Sequence, residues 1–124
     1  MCDERKCEGL QGRKVLVVED EYFIAHDLME ALEKTGARVA GPVPTLREAM
    51  SLLEANGIEL AVLDINLQDD VVYPLADRLR ADGIPVVFAT GYSSVAIPEA
   101  YHDVPRWEKP FSATQLARAL AGLA

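Results

Sequence analysis

The run Leu60-Ala61-Val62-Leu63 ends abruptly in a carboxylate, Asp64. Four apolar residues in succession, without polar alternation, read as a strand buried on both faces, the kind found in parallel sheets with helices above and below. Its last residue then emerges at the edge of the sheet, which puts the chemistry on Asp64. A second run, Lys14-Val15-Leu16-Val17-Val18, stops at three consecutive acids, Glu19, Asp20 and Glu21, and reads as the first strand of the chain.

Helical periods alternate with these strands. Ile24, Leu28, Ala31 and Leu32 mark a first helix that starts near Phe23, with Gly36 as its stop. Arg38 to Gly41 is a second strand, closed by Pro42 and Pro44, which cannot extend a ladder. Thr45 and Glu48 form a capping box, each side chain satisfying the other's orphan backbone donor. The helix they start carries Leu46, Ala49, Met50 and Leu53 on one face and ends at Asn56-Gly57.

After Asp64 and the polar loop Gln68-Asp69-Asp70 comes a third helix. It has Pro74 in its first turn, Val72, Leu75, Ala76 and Leu79 towards the core, and Gly83 as its cap. Pro85 to Ala89 is a fourth strand running into Thr90-Gly91-Tyr92. Residues 93–105 hold Pro98 and Pro105 and no sustained apolar period, so a short helical turn or irregular loop is expected there. Arg106 to Lys109 is the fifth strand. Ser112, with Gln115 three residues on, caps a last helix whose stripe is Leu116, Leu120 and Leu123.

Alternation of this kind predicts an α/β fold, a doubly wound parallel sheet of five strands in the order 2-1-3-4-5, with the fourth helix short or irregular. At 124 residues the chain makes one domain over residues 13–124, preceded by a flexible tail over 1–12 that contains both cysteines, Cys2 and Cys7. No apolar run reaches the length of a membrane span, and the charged start is unlike a signal peptide, so the cytoplasm is the expected location. Twelve basic against twenty acidic side chains give a net charge of −8, a poor match to a nucleic-acid backbone or an anionic membrane. His26 and His102 are isolated and read as ordinary surface or partly buried histidines.

In a sheet of this order the functional crevice lies at the carboxyl ends of strands one and three. Neighbouring strands run about 4.8 Å apart, so Glu19, Asp20 and Asp64 crowd one edge and require a counter-charge. A hard divalent cation, most plausibly Mg²⁺, suits one or two carboxylates, a backbone carbonyl and incoming phosphoryl oxygens. Lys109 after strand five adds a second cation, and Thr90 after strand four adds a hydroxyl donor. These are the parts of a phosphoryl site in which a carboxylate oxygen of Asp64 attacks in line. Taken singly, each residue reads as readily as a solvated loop charge, a cap or a structural ion pair.

Glu19-Asp20, Asp64, Thr90 and Lys109-Pro110, each at the end of its own strand, resemble the receiver domain of two-component response regulators, a flavodoxin-like fold. Asp64-Ile65-Asn66-Leu67, Phe88-Ala89-Thr90-Gly91-Tyr92 and Lys109-Pro110-Phe111 resemble most the single-domain "FAT GUY" group. The resemblance implies that Asp64 accepts a phosphoryl group from a sensor histidine kinase or a phosphotransfer protein. It implies Mg²⁺ held by Asp20, Asp64 and the Asn66 backbone carbonyl, with Glu19 acting through metal-bound water and Lys109 and Thr90 contacting the phosphoryl oxygens. A separate downstream protein of unknown identity would read the result, because the last helix ends the chain; the chain could equally drain phosphoryl groups from a relay. Receivers catalyse their own phosphorylation and slow dephosphorylation without being enzymes in the useful sense.

The chain departs from the family pattern at Arg106, where many receivers carry a Tyr or Phe three residues before the lysine. Trp107 is adjacent, but a shift of one residue along a strand points it to the opposite face. Tyr92 or Arg106 is then left to carry the signal, and output is expected to use a reshaped or mobile segment between strands four and five. Two other functions remain open. One is a receiver-like scaffold that binds its partner without phosphorylation. The other is an Asp-nucleophile phosphatase, which normally has a second Asp where this chain has Asn66.

Overall fold

The apolar runs form the strands of one sheet. The structure, a computed structural model, describes residues 10–55, 57–65, 67, 72–91 and 97–123. Strands β1 (Lys14–Val18), β2 (Arg38–Val43), β3 (Leu60–Asp64), β4 (Val86–Thr90) and β5 (Arg106–Glu108) pair in parallel in the order β2-β1-β3-β4-β5. Between and after them run α1 (Tyr22–Lys34), α2 (Leu46–Ala55), α3 (Tyr73–Ala81) and α4 (Ala113–Ala121). The order expected from the alternation is the order observed.

Period-two alternation divides the core into two layers. Leu16, Val18, Ala61, Leu63, Val86 and Phe88 face α2 and α3, where Ala49, Leu53, Leu75, Ala76 and Leu79 meet them. Val15, Val17, Leu60, Val62 and Val87 face α1 and α4, against Leu28, Leu32, Leu116 and Leu120. Burial of each of the larger side chains removes it almost wholly from water, worth roughly 1.5–3 kcal/mol apiece before conformational entropy is counted. Being covered on both faces is why the central strands are apolar throughout.

The helix signals hold in detail. Pro74 lies in the first turn of α3, and Gly83 ends it with φ 73°. The Gln115 N–H donates to Ser112 Oγ at 3.2 Å, capping α4. The Glu48 N–H donates to Thr45 Oγ1 at 3.2 Å, while the Thr45 hydroxyl donates to Glu48 Oε2 at 3.1 Å. The threonine half of the expected box is formed, and the glutamate half differs, with the Glu48 carboxylate accepting the Thr45 hydroxyl.

Three expectations need correction. The second strand does not stop at Gly41 but continues through Pro42 to Val43. It is an edge strand, where a missing N–H faces away from any ladder, and its register shifts between Leu16 and Val18. Gly41 makes that shift possible: its φ is 102°, and a Cβ there would lie 2.8 Å from the Val17 carbonyl oxygen. The flexible tail is overdrawn at its last three residues, because Leu10 is completely buried in the layer beneath α1 and α4. The Gly12 N–H to Gly36 carbonyl bond, at 2.9 Å, fixes the chain there; Cys2 and Cys7 lie outside the described residues.

Leu123 does not complete the last apolar stripe. The α4 helix ends at Ala121, the helical period ends with it, and Leu123 is 40% exposed. In place of a fourth helix, the described part of the stretch between β4 and β5 makes one 3₁₀ turn, Glu99–Tyr101, entered from Pro98, as the prolines suggested. Among the described residues no helix is long and apolar enough to cross a membrane.

Candidate functional site

Strand register builds the site. Val18 pairs with Leu63, Asp64 with Ala89, and Thr90 with Glu108, so the residues at the strand ends meet along one edge. Backbone bonds fix that edge beyond the strands: Glu19 N–H to Val43 O at 3.0 Å, Ile65 N–H to Ala89 O at 2.9 Å, and Lys109 N–H to Thr90 O at 2.8 Å. Each functional side chain therefore departs from backbone already held on both sides.

Glu19, Asp64 and Thr90 are the buried polar residues among those described, at 3%, 1% and 3% exposure. Lys109 reaches into them. Its Nζ donates to Asp64 Oδ2 at 3.2 Å and to Glu19 Oε2 at 3.1 Å. It also lies 2.9 Å from Glu19 Oε1 and 3.6 Å from Glu21 Oε1. The Glu21 N–H adds a bond to Glu19 Oε2 at 3.0 Å. The Oε1 contact is an ion pair without hydrogen-bond alignment, so that buried oxygen has no hydrogen-bond partner.

The electrostatics follow from this crowding. Burial, then the shared hydrogen bond with the Asp64 carboxyl, pushes the Glu19 carboxyl up to about 8, against the opposing pull of the Glu21 N–H and Lys109. For Lys109, burial disfavours the charge, but the bond to Glu19 and the field of Asp64 outweigh it and hold the ammonium above its ordinary range. One lysine is thus set against two buried carboxylates and the rim acid Glu21. A cation would relieve the surplus.

Glu19, Asp20 and Asp64 each offer an oxygen, and these atoms lie within 4.8 Å of one another. Three hard carboxylate donors fit a divalent cation that prefers oxygen ligands. Glu19, Asp20, Asp64 and Lys109 are thus brought together at the strand ends, and Thr90 ends the neighbouring strand β4. Asn66 and Tyr92 lie outside the described residues. Glu21, noted in the sequence only as the third acid of its run, joins the ion pairs of Lys109.

The far side of Thr90 is different. Arg106 is exposed, while Trp107 turns to the α1 and α4 layer and meets Phe111 edge-on, with centroids 6.5 Å apart. The opposite-face expectation for Trp107 therefore holds. The aromatic mass on the Phe88 face comes instead from Tyr73 and Tyr101, whose rings lie 6.1 and 6.2 Å from Phe88. No local pattern announced Tyr101 in this place. His26 stacks on Tyr22 and faces Glu30, and His102 bonds the Ile97 carbonyl; neither approaches the acids.

Comparison with known proteins agrees with this architecture. The response regulator receiver domain family matches residues 15–121. The transcriptional regulatory protein PdtaR of Mycobacterium tuberculosis is 30% identical over 112 residues, 87% of this chain and 55% of that protein. The chain spans about half the length of the curated relatives it matches. The solution structure of SdrG from Sphingomonas melonis Fr1 is 39% identical, with a TM-score of 0.78 over 93% of this chain and 97% of that one. The BeF3-activated conformation of SdrG has the same identity and a TM-score of 0.73 over 89% and 94%. With the sheet order, the strand-end acids and a family match across nearly the whole domain in agreement, the chain belongs to the receiver domains of response regulators.

Proposed function

We propose that Asp64 is a phosphoacceptor, charged by a histidine kinase or phosphotransfer protein in an Mg²⁺-dependent reaction, and that its state controls binding to a separate partner protein. The observation that carries this reading is the buried Asp64 carboxylate, held between Lys109 and two further acids at the end of β3. A carboxylate oxygen of Asp64 attacks the phosphorus of a phosphohistidine. The P–N bond breaks as the P–O bond forms, and the departing imidazole nitrogen takes up a proton. Lys109 stands beside the acceptor to neutralise charge on the transferred group, and the Thr90 hydroxyl, one strand over, donates to a phosphoryl oxygen.

Glu19, Asp20 and Asp64 would hold the cation, with the Asn66 carbonyl as a further ligand. When bound, Mg²⁺ supplies charge neutralisation at the phosphoryl oxygens. The acids of the rim and the exposed Tyr22 and Phe23 that follow them flank the approach of a donor protein. The role is that of a signalling module that catalyses its own phosphorylation.

SdrG has a conformation activated by BeF3, a mimic of a phosphoryl group on a carboxylate, which supports the same switch here. Beryllofluoride with Mg²⁺ is expected to shift the backbone amide resonances of Asp64, Thr90, Gly91 and Lys109, and to shift none of them in Asp64→Asn. Spectra unchanged in the wild type, or changed equally in the variant, would overturn the reading.

A further inference from the structure

Glu21 stands at the mouth of the acid site with its backbone fixed and its side chain beside the lysine. The Glu21 N–H donates to Glu19 Oε2 at 3.0 Å, and its carbonyl accepts the Ala25 N–H at 2.9 Å, closing the first turn of α1. Glu21 is the N-cap of that helix, yet its side chain makes no capping bond. Its Oε1 lies instead 3.6 Å from Lys109 Nζ, too far for a hydrogen bond and near enough for its charge to act. The Glu21 side chain is 61% exposed, against 9% for Lys109 and 1% for Glu19 and Asp64. Of the carboxylates around Lys109 it is the one that faces solvent.

A lysine ammonium donates in three directions. Asp64 and Glu19 each take one, and a transferred phosphoryl group needs the remaining one. Glu21 therefore competes with the incoming group for the same cation. It also meets the other end of the donor. In-line attack by Asp64 puts the leaving group on the far side of phosphorus, away from the buried carboxylates and towards solvent, which is the side Glu21 occupies. A leaving group that departs as an anion meets a like charge there, and one that carries protons on nitrogen meets an acceptor.

Resting on the phosphoacceptor reading of Asp64, we propose that Glu21 is a specificity-determining residue that favours donors with a protonated nitrogen leaving group, as in a phosphohistidine, over donors with a carboxylate leaving group, as in an acyl phosphate. Two small donors isolate the difference. In phosphoramidate at neutral pH the nitrogen is fully protonated; the P–N bond breaks as the bond from Asp64 to phosphorus forms, and ammonia leaves with the bonding pair. In acetyl phosphate the bridging P–O bond breaks, and acetate leaves with the bonding pair and a negative charge.

Phosphoryl uptake by the whole chain is followed by intact mass with each donor at saturating Mg²⁺. Glu21→Gln keeps the size of the side chain and removes its charge. Uptake from acetyl phosphate is expected to rise about fivefold and uptake from phosphoramidate to fall about twofold, shifting the ratio of the two rates about tenfold. Glu21→Asp, which keeps the charge, is expected to hold that ratio within about threefold of wild type. Glu54→Gln removes the same charge from the exposed end of α2, at the opposite edge of the sheet, and is expected to leave the ratio unchanged. An equal change with both donors would make Glu21 only a competitor for Lys109, and an unchanged ratio would make it a bystander. A ratio in Glu21→Asp as altered as in Glu21→Gln would point to shape, and a matching shift in Glu54→Gln to net charge. Each of these overturns the proposal. A wild type that takes up a phosphoryl group from neither donor would instead overturn the acceptor reading itself.

Discussion

The strand ends at Glu19, Asp64 and Lys109 and the stretch from Ile97 to Val104 are held in opposite ways. On the acid side, backbone bonds between adjacent strands fix each residue, and the side chains are buried charges in mutual conflict. On the other side the backbone makes a single 3₁₀ turn, and side chains supply the restraint: Arg80 pairs with Asp103 and the Tyr101 hydroxyl donates to Asp77, partners 23 and 24 residues away in sequence. The acid side is framed by the sheet itself. The tethered side is built so that a few contacts decide where it sits.

The largest effect should come from removing the shared cation. Lys109→Ala leaves Glu19 and Asp64 buried without their ammonium partner. A loss of about 3–4 kcal/mol in urea unfolding at neutral pH in the presence of EDTA is expected, as when one member of a buried ion pair is deleted. Added Mg²⁺ should restore part of it by occupying the same field. The tether is expected to behave otherwise: Tyr101→Phe should cost about 1 kcal/mol, because its acceptor is on the surface. Equal losses in the two variants would erase the contrast.

A smaller effect than that of Lys109→Ala follows from Glu19. Its carboxyl is pushed up to about 8 in the folded chain from an ordinary value of 4.5. Between those values the folded state binds more protons than the unfolded state. The stability this contributes is complete below 4.5 and is lost as pH rises through the folded value. Metal-free protein should therefore be less stable at about pH 8.5 than at about pH 5.5, by around 2 kcal/mol in urea midpoints converted to free energy. Because cation and proton compete for the same oxygens, stabilisation by Mg²⁺ should grow across the same window. A flat metal-free profile would remove Glu19 from the account.

The contrast also explains what could be read from the sequence. Strand-end acids are legible because apolar runs fix the strands, right-handed crossovers fix their order, and register then carries Glu19 to Asp64 and Thr90 to Glu108. Thr45, Ser112, Pro74 and Gly83 announced their helix ends because capping is local chemistry. Pro42 misled only because the edge position of β2, which tolerates it, is a property of the sheet. Leu10 and Leu123 exchanged their expected places because burial near a terminus depends on what packs there, not on period. Tyr101 meeting Asp77 and Arg80 left no mark in sequence, since residues so far apart are joined only by the finished fold.

Intact mass measurement after incubation with acetyl phosphate and Mg²⁺ tests the central claim most directly. The wild-type chain is expected to gain a single phosphoryl group, stable in acid and labile in base as an acyl phosphate is, and Asp64→Asn is expected to gain none. A wild type without the adduct, or an adduct that persists in Asp64→Asn, would contradict the account.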